Sequence, residues 1–237
     1  LEKIVISRTK KYKFNFNRIE QLSYLKKSNI IFPESTTFLF NFTEDEIFFG
    51  VTPETLFKIN GTQFYSEALA GTFDANANYP KSKETKEHNY VIDYIEKVIS
   101  NFSIEKKTQT NPYLINFGKL KHLKTQFTSK ISKNMNPFKI IYQLHPTPAV
   151  AGIPKNNALN YIDKIEHHDR KWYSGPIGWI SSKGNAEFKA AIRSGYSKNG
   201  CIEIFAGCGI TDGSQSECEF NESEKKFDSI LSVLKND

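Results

Sequence analysis

The sequence lacks the features that mark several large classes of protein. It contains no run of about 18 apolar residues, so no membrane-spanning helix is expected. Its three cysteines are odd in number and have no CxxC spacing, which argues against a disulfide framework and favours a reducing cytoplasm. His145 has no Cys or His companion at zinc spacing. No internal repeat or low-complexity tract stands out.

What is present indicates a globular protein of moderate size. With 237 residues, of which 38% are hydrophobic, the chain can bury the core of one large domain or two small lobes. The formal charge of +6 is mild and the lysines are scattered, which favours attraction of an anionic substrate over a nucleic-acid-binding stripe. Because Leu1 stands directly before a predicted strand, we expect that the chain lacks some native N-terminal sequence.

Strand and helix patterns predict an α+β fold. Helices are indicated where apolar residues recur three or four positions apart, and antiparallel strands where short β-rich segments alternate with turn formers. The strands fall into two blocks, so we expect two antiparallel β-sheets in a core with helices on the outside. The predicted strands cover 3–7, 37–42, 47–51, 55–59, 63–69, 175–181, 186–194 and 201–206, the predicted helices cover 14–27, 82–102, 137–144, a segment opening at 154 and 217–235, and a lysine-rich strand or loop region covers 104–132.

Two pairs of glutamates stand three residues apart near the starts of predicted helices. Glu84 and Glu87 form one pair, and Glu219 and Glu222 form the other. Residues three apart share a helix face, and converging carboxylates call for a hard cation such as Mg²⁺. For either pair alone the alternative is an ordinary helix start, in which the glutamates complement the helix dipole or, in Ser216-x-x-Glu219, form a capping box.

A base and an acid are candidates beside such a metal. Lys3 stands at the mouth of a buried strand, and a lysine in apolar surroundings is a candidate general base. Glu54 projects from the turn Thr52-Pro53-Glu54, where a partly buried carboxyl group could stay protonated and serve as a general acid. The alternatives are a strand-edge charge for Lys3 and an ordinary turn glutamate for Glu54.

Glycine-rich segments and a strand arginine are candidate contacts for an anion. Ala70-Gly71-Thr72 and Gly207-Cys208-Gly209 are predicted as turns at strand ends, where backbone N–H groups can approach an anion. Arg193 follows three apolar residues in a predicted strand and therefore needs a carboxylate partner. That partner could be internal or could belong to a ligand.

Nine short segments carry a resemblance that runs through nearly the whole chain. They are KIVISR (3–8), TPETLF (52–57), ALAGT (68–72), KETKEH (83–88), HPTPAVAGIP (145–154), WYSGPIGW (172–179), AAIRSG (190–195), FAGCGI (205–210) and ECEFNESEKKF (217–227). In this order they resemble the chorismate-utilising enzymes, the family of isochorismate, salicylate, anthranilate and aminodeoxychorismate synthases. The resemblance implies an anthranilate synthase component I-like fold and one chorismate-binding catalytic domain over 1–237.

The resemblance also implies a role for each candidate residue. Mg²⁺ is expected between Glu87 and Glu222, with Glu84 and Glu219 orienting metal-bound waters. Lys3 matches the position that activates water.

Further positions match the acid and the substrate contacts of the family. Glu54 matches the general acid, and Arg193 and Tyr173 match residues that hold the enolpyruvyl carboxylate. Lys226 matches a lysine near the metal-bound carboxylate, and His122 a substrate-side histidine. Backbone or hydroxyl contacts to substrate are implied for Gly71, Thr72, Gly207 and Gly209.

Within the family, the residues favour an isochorismate synthase. A lysine at position 3 supports water rather than ammonia as the nucleophile, and Ala70 stands where aminodeoxychorismate synthases often carry a nucleophilic lysine. The segment 145–148, His-Pro-Thr-Pro, is typical of isochorismate synthases. We therefore expect a cytoplasmic, monomeric isomerase that converts chorismate to isochorismate, with menaquinone synthesis as the expected pathway and neither nucleic acid nor membrane as a partner.

Two alternatives remain open at this point. A salicylate synthase would share the metal and the base but would go on to expel pyruvate from isochorismate. A non-enzymatic anion-binding or nucleic-acid-binding module is suggested by the pI of about 9.0 and the lysine-rich stretch 104–133. The ordered set of glutamates described above counts against the second alternative.

Overall fold

Two antiparallel β-sheets form the centre of the molecule in a computed structural model, which describes residues 1–105 and 107–234. Within those residues the strands are β1 Lys3–Lys13, β2 Thr36–Asn41, β3 Glu46–Thr52, β4 Thr55–Asn60, β5 Gln63–Asp74, β6 Thr108–Gln109, β7 Tyr113–Phe117, β8 Leu120–Lys130, β9 Gly152–Ile153, β10 Pro176–Ile180, β11 Ala186–Ala190, β12 Ser194–Lys198 and β13 Cys201–Thr211. The helices are α1 Arg18–Ile31, α2 Ser82–Ser100, α3 Pro137–Leu144, α4 Lys155–Ile165 and α5 Ser216–Leu234.

The strand orders bring distant parts of the chain together. The first sheet has the order β2-β3-β12-β13-β1-β9, and the second has the order β10-β11-β4-β5-β8-β6, with β7 also paired to β8. In the first sheet β1 pairs with β13 over its whole length, from Lys3 opposite Thr211 to Lys13 opposite Cys201. The beginning of the chain therefore lies beside a strand that is some 200 residues away in sequence.

Each sheet carries helices on its outer face. Val91, Ile95 and Ile99 of α2 share one apolar cluster with Phe64 and Phe127 of the second sheet. Helices α1 and α5 cover the first sheet in a separate cluster of buried aromatic and aliphatic side chains. The predicted α+β class, with two antiparallel sheets and outer helices, is confirmed.

Two glycine segments lie inside long strands, so their prediction as turns at strand ends was wrong. Strand β5 continues to Asp74, and its register with β8 shifts between Ala70 and Thr72. Gly71 sits at this bulge with a positive φ of 71°, where a Cβ would collide with the backbone carbonyl of Glu84. Strand β13 likewise runs past 207–209, because glycine there permits close approach of neighbouring side chains.

Helix α1 begins later than predicted and buries a different face. Asn17 caps the helix by accepting the N–H groups of Ile19 and Glu20, which moves the start to Arg18. The apolar residues at 16, 19, 22 and 25 have helical spacing, which predicts that they form the buried face. That prediction is wrong, because Ile19 and Leu22 are 76% and 55% exposed. The buried residues of this helix are Gln21, Tyr24 and Ser28.

Other predicted boundaries changed less. The region 104–132 contains strands β6, β7 and β8, with position 106 outside the described residues. The last helix begins at Ser216, and the predicted end at 235 lies outside the described residues. In the part of the chain that the structure describes, no helix has the length and apolar character needed to span a membrane.

We expect the Phe57→Ala substitution to lower the free energy of unfolding by about 3–5 kcal/mol, because it empties a closely packed part of the second sheet. Phe57 is fully buried, and its ring lies 5.3 Å from that of Phe188 and 6.0 Å from that of Phe64. Denaturant titration followed by circular dichroism measures the change. Tyr142→Ala is the control, since Tyr142 is 85% exposed and its loss should change the free energy by less than about 0.5 kcal/mol. Equal effects of the two substitutions would contradict the packing described here.

Candidate active site

A cleft between the two sheets gathers most of the predicted site residues. It has about 620 Å³ of empty volume, part of it open to solvent. The first sheet and α5 supply one part of its wall, and the second sheet, the β3–β4 connection and α2 supply another. The connections α3–β9, α4–β10 and β11–β12 complete it. Among the predicted residues, those that line the cleft are Glu54, Thr72, Glu87, His122, Tyr173, Arg193, Gly207, Gly209 and Lys226.

A neighbouring cavity shares Thr72 with the cleft and contains the remaining acidic residues. Glu84, Glu219 and Glu222 line it, together with Lys83. Two predicted residues line neither space: Lys3 lies behind the wall at Gly209, and Gly71 lies at the bulge of β5.

Lys3 is fully buried at the start of β1. Its Nζ lies 3.0 Å from Glu87 Oε1, although the geometry of this contact does not make a hydrogen bond. A Cβ on Gly209 would lie 3.1 Å from Lys3 Cε and would collide with the Glu87 carboxylate. Gly209 therefore lets the amine of β1 and the carboxylate of α2 meet at the wall of the cleft.

Glu54 lies in the short connection between β3 and β4 and is fully enclosed. Burial, followed by the charge of Glu67, raises the pKa of its carboxyl group from 4.5 to about 8. The cations Lys3, Arg193 and Lys226 act in the opposite direction but do not cancel the effect. The carboxyl group of Glu54 is therefore largely protonated at neutral pH, as a general acid requires.

Arg193 lies between strands rather than inside one. The predicted strand over 186–194 is wrong, because the chain leaves the second sheet after Ala190 and enters the first sheet at Ser194. Arg193 has a positive φ of 52° in this crossing, which turns its side chain into the cleft.

The guanidinium of Arg193 meets a histidine instead of a carboxylate. Its Nη2 lies 3.2 Å from His122 Nε2, and His122 Nδ1 lies 2.9 Å from Thr72 Oγ1. Burial lowers the pKa of Arg193 to about 10, so the group stays cationic at neutral pH. Burial, Arg193 and Lys226 hold the pKa of His122 well below 6.5, so the imidazole is neutral. The buried Nε of Arg193 has no hydrogen-bond partner among the residues that the structure describes, which leaves this cation available to an anionic ligand.

Tyr173 and Lys226 bring two further polar groups to β13. A Cβ on Gly207 would lie 2.7 Å from the Tyr173 hydroxyl, whose pKa is raised by burial. Lys226 Nζ donates to the Gly207 carbonyl at 2.7 Å and pairs with Glu222 Oε1 at 2.5 Å. Burial opposes the charge of Lys226, but Glu222 raises its pKa above the usual value, so the amine remains an ammonium.

The four glutamates have different partners. Glu84 Oε2 accepts the N–H of Lys81 at 2.8 Å, so this residue caps its own helix. This contact agrees with the alternative of an ordinary helix start. Glu219 forms an ion pair with Lys83. Burial would lower the pKa of Lys83, but Glu219, followed by Glu87 and Glu222, raises it. Three of the four glutamates thus stabilise the charged form of the Lys83 amine.

The donor atoms fit a hard divalent cation. Oxygens of Glu219 and Glu222 and the sulfur of Cys208 lie within 4.8 Å of one another, and Glu219 Oε2 is buried without a hydrogen-bond partner. Burial raises the pKa of the Cys208 thiol to about 12, and the thiol donates to the Glu219 carbonyl at 3.1 Å. A protonated thiol is a poor ligand, so the available donors are carboxylate oxygens, which suit Mg²⁺.

Comparison with known proteins agrees with this arrangement. A family model described as chorismate binding enzyme matches residues 1–235. The chain belongs to the chorismate binding enzyme family. It is 32% identical over 213 residues to the isochorismate synthase MenF of Bacillus subtilis. The aligned region covers 85% of this chain and 45% of that relative. The predicted family is confirmed.

Solved structures extend the likeness over the whole fold. The menaquinone-specific isochorismate synthase MenF from Escherichia coli matches with a TM-score of 0.86 and 25% identity over 99% of this chain and 56% of that chain. Anthranilate synthase component I from Streptococcus pneumoniae matches with a TM-score of 0.84 and 22% identity over 99% and 53%, which confirms the predicted component I-like fold. The chain spans about half the length of the relatives it matches.

Residues that the sequence analysis did not single out also shape the site of this family member. Lys83 pairs with Glu219, and Glu67 acts on Glu54. Lys83 stands directly before Glu84 in the segment KETKEH, so its position beside the acidic pair was a usable signal. Nothing local marked Glu67, because Thr55 and its ion-pair partner Lys124 lie on other strands.

The raised pKa of Glu54 predicts a pH-dependent gain in stability for Glu54→Gln. Between about pH 4.5 and pH 8 the folded protein holds a proton on Glu54 that the unfolded chain releases. The contribution of this group to the free energy of unfolding is therefore fully present below pH 4.5 and is lost as pH rises toward 8. Glutamine does not titrate, so the variant should match the wild type near pH 4.5 and exceed it by on the order of 4 kcal/mol at pH 8. Denaturant titrations across this range measure the difference. Stability curves that stay parallel would contradict the prediction, and Glu217→Gln, at an exposed residue, is the control.

Proposed function

We propose that the chain is an isomerase that converts chorismate to isochorismate with Mg²⁺. The observation that carries the proposal is the presence of two groups in one cleft, the protonated Glu54 carboxyl and an Arg193 guanidinium whose Nε has no hydrogen-bond partner among the described residues. The relatives named isochorismate synthase support the same reaction. Chorismate carries two carboxylates, which suits a cleft with buried cations.

In this proposal the cations and hydroxyl groups hold the substrate. Arg193 and Tyr173 bind the enolpyruvyl carboxylate, and His122, kept neutral, orients Arg193 and Thr72. Gly207 and Gly209, which line the cleft, let the backbone approach the substrate closely, whereas Gly71 lies at the bulge of β5 against the Glu84 carbonyl.

Carboxylates of α2 and α5 would hold the metal. Glu87 and Glu222 would ligate Mg²⁺, with Glu84 and Glu219 orienting its waters and Lys226 beside Glu222. The bound ion would supply positive charge to the ring carboxylate of the substrate.

The proton transfers then fall to two residues. The Lys3 amine, which meets Glu87 at the wall of the cleft, acts in its neutral form and removes a proton from the water that attacks the ring carbon beside the one that bears the carboxylate. The double bonds shift, and Glu54 gives its proton to the departing hydroxyl group. One water enters and one leaves, so the product is an isomer of the substrate.

We also infer the setting of this reaction. Residues 1–237 form one chorismate-binding catalytic domain, which acts as a monomer in the cytoplasm, with chorismate rather than nucleic acid or membrane as its partner. The relatives named MenF and menaquinone-specific favour a place in menaquinone synthesis.

Incubation of the 237-residue chain with chorismate and Mg²⁺, followed by chromatographic separation of the products, tests the proposal. We expect isochorismate, and we expect its formation to stop when a chelator removes Mg²⁺ and to resume when Mg²⁺ is restored. Salicylate together with pyruvate would indicate a salicylate synthase instead. Unchanged chorismate would refute both activities for this chain.

The Lys3→Met variant tests the proposed base. Methionine keeps most of the buried side-chain volume but has no amine, so turnover should fall about 100-fold or more while Mg²⁺-dependent binding of chorismate stays largely intact. Product assays and titration calorimetry measure the two effects. Lys11→Met is the matched control, since Lys11 lies on the same strand and is exposed. Loss of chorismate binding in Lys3→Met would instead assign Lys3 to anchoring the substrate.

A further inference from the structure

Glu67 is a buried carboxylate of β5 that does not line the cleft. Its side chain is 1% exposed and has three partners from three directions. Glu67 Oε1 accepts the backbone N–H of Thr55 at 2.8 Å, and Oε2 accepts the Tyr65 hydroxyl at 2.6 Å and lies 2.7 Å from Lys124 Nζ. The ion pair and the two hydrogen-bond donors together hold this carboxyl group in one orientation.

Glu67 contacts Thr55, the residue that follows Glu54. Its bond to the Thr55 N–H places a carboxylate oxygen against the peptide group that joins residues 54 and 55. On the other side, the carbonyl of Glu54 accepts the N–H of Ala190 at 3.1 Å. The Glu54 backbone is thus fixed between β5 and β11, and a negative charge lies directly behind it.

We propose that Glu67 is a positioning residue for the acid of the cleft, because it fixes the peptide group that follows Glu54 and places a carboxylate beside that residue. The inference rests on the proposed role of Glu54 as the general acid. It adds a residue outside the cleft that acts on the reaction through another residue.

The charges that face Glu54 explain why such a residue is needed. Lys3 of β1, Arg193 of the β11–β12 crossing and Lys226 of α5 all favour the carboxylate form, whereas the neutral His122 of β8 adds no charge. Burial opposes these three cations, and Glu67 adds to burial. Lys124 and Tyr65 contact Glu67 as its ion-pair partner and as a hydrogen-bond donor.

The Glu67→Gln variant separates the charge from the hydrogen bond. Glutamine can still accept the Thr55 N–H through its oxygen but carries no charge. The alkaline limb of the pH profile of kcat for isochorismate formation should therefore move down by about 1 pH unit or more, with kcat below that limb changed less than about fivefold. In parallel, carboxyl ¹³C NMR of glutamate-labelled protein, with Glu54→Gln to assign the signal, should show Glu54 titrating at lower pH in the variant.

Two further variants provide controls. Glu203→Gln removes a carboxylate that pairs with Lys11 and Lys171 on the first sheet, away from the cleft, and should shift neither the limb nor the NMR titration. Because Glu67→Gln leaves Lys124 without its partner, Glu67→Gln combined with Lys124→Gln removes both charges. It should show the same downward shift if the single variant does not fold.

The outcomes are distinct. A uniform loss of kcat with an unmoved limb would give Glu67 a merely structural role and overturn the inference, as would an unchanged titration of Glu54. If the wild-type chain forms no isochorismate, the proposed function fails, and the NMR titration still decides whether Glu67 controls the protonation of Glu54.

Discussion

The antiparallel pairing of β1 with β13 is the constraint on which the candidate site depends. It sets Lys3 opposite Thr211 and places Val5 and Ser7 opposite Gly209 and Gly207. Only residues 212–215 separate the end of β13 from the start of α5. The same pairing therefore positions the helix that carries Glu219, Glu222 and Lys226. Helix α2, packed on the other sheet, then brings Glu87 against Gly209. A site assembled from the first, middle and last parts of the chain follows from one pairing of strands.

Burial decides the chemistry of the groups within this frame. In a region of low dielectric, an ionised side chain persists only when another charge or a hydrogen bond compensates it. Lys226 and Lys83 keep their protons because carboxylates face them, whereas Glu54 keeps its proton because burial and Glu67 outweigh the nearby cations. Similar side chains in one small volume therefore take opposite protonation states, which is the arrangement that acid–base catalysis requires.

Much of the fold could be predicted from local patterns, because alternation, apolar spacing and turn residues act over a few positions. The two strand blocks and the long helices α2 and α5 were found in this way. The errors occurred where tertiary contacts override local preference. Glycine is common in turns, so the local pattern predicts turns at Gly71 and at 207–209. Each instead lies in a strand where a side chain or backbone group approaches closely. Arg193 was placed in a strand because the crossing between sheets leaves no local signal.

The sequence by itself determined the chemical types at the site, namely the spaced glutamates, Lys3, Glu54 and Arg193, and through their order the resemblance to one enzyme family. Only the tertiary structure decided which of these groups meet and which are charged. Glu84 caps its helix, Lys3 meets Glu87 behind Gly209, and Glu67 stands behind Glu54. The reason is physical: residue type and spacing fix local geometry, whereas distance and dielectric around a charge depend on segments that are far apart in the chain.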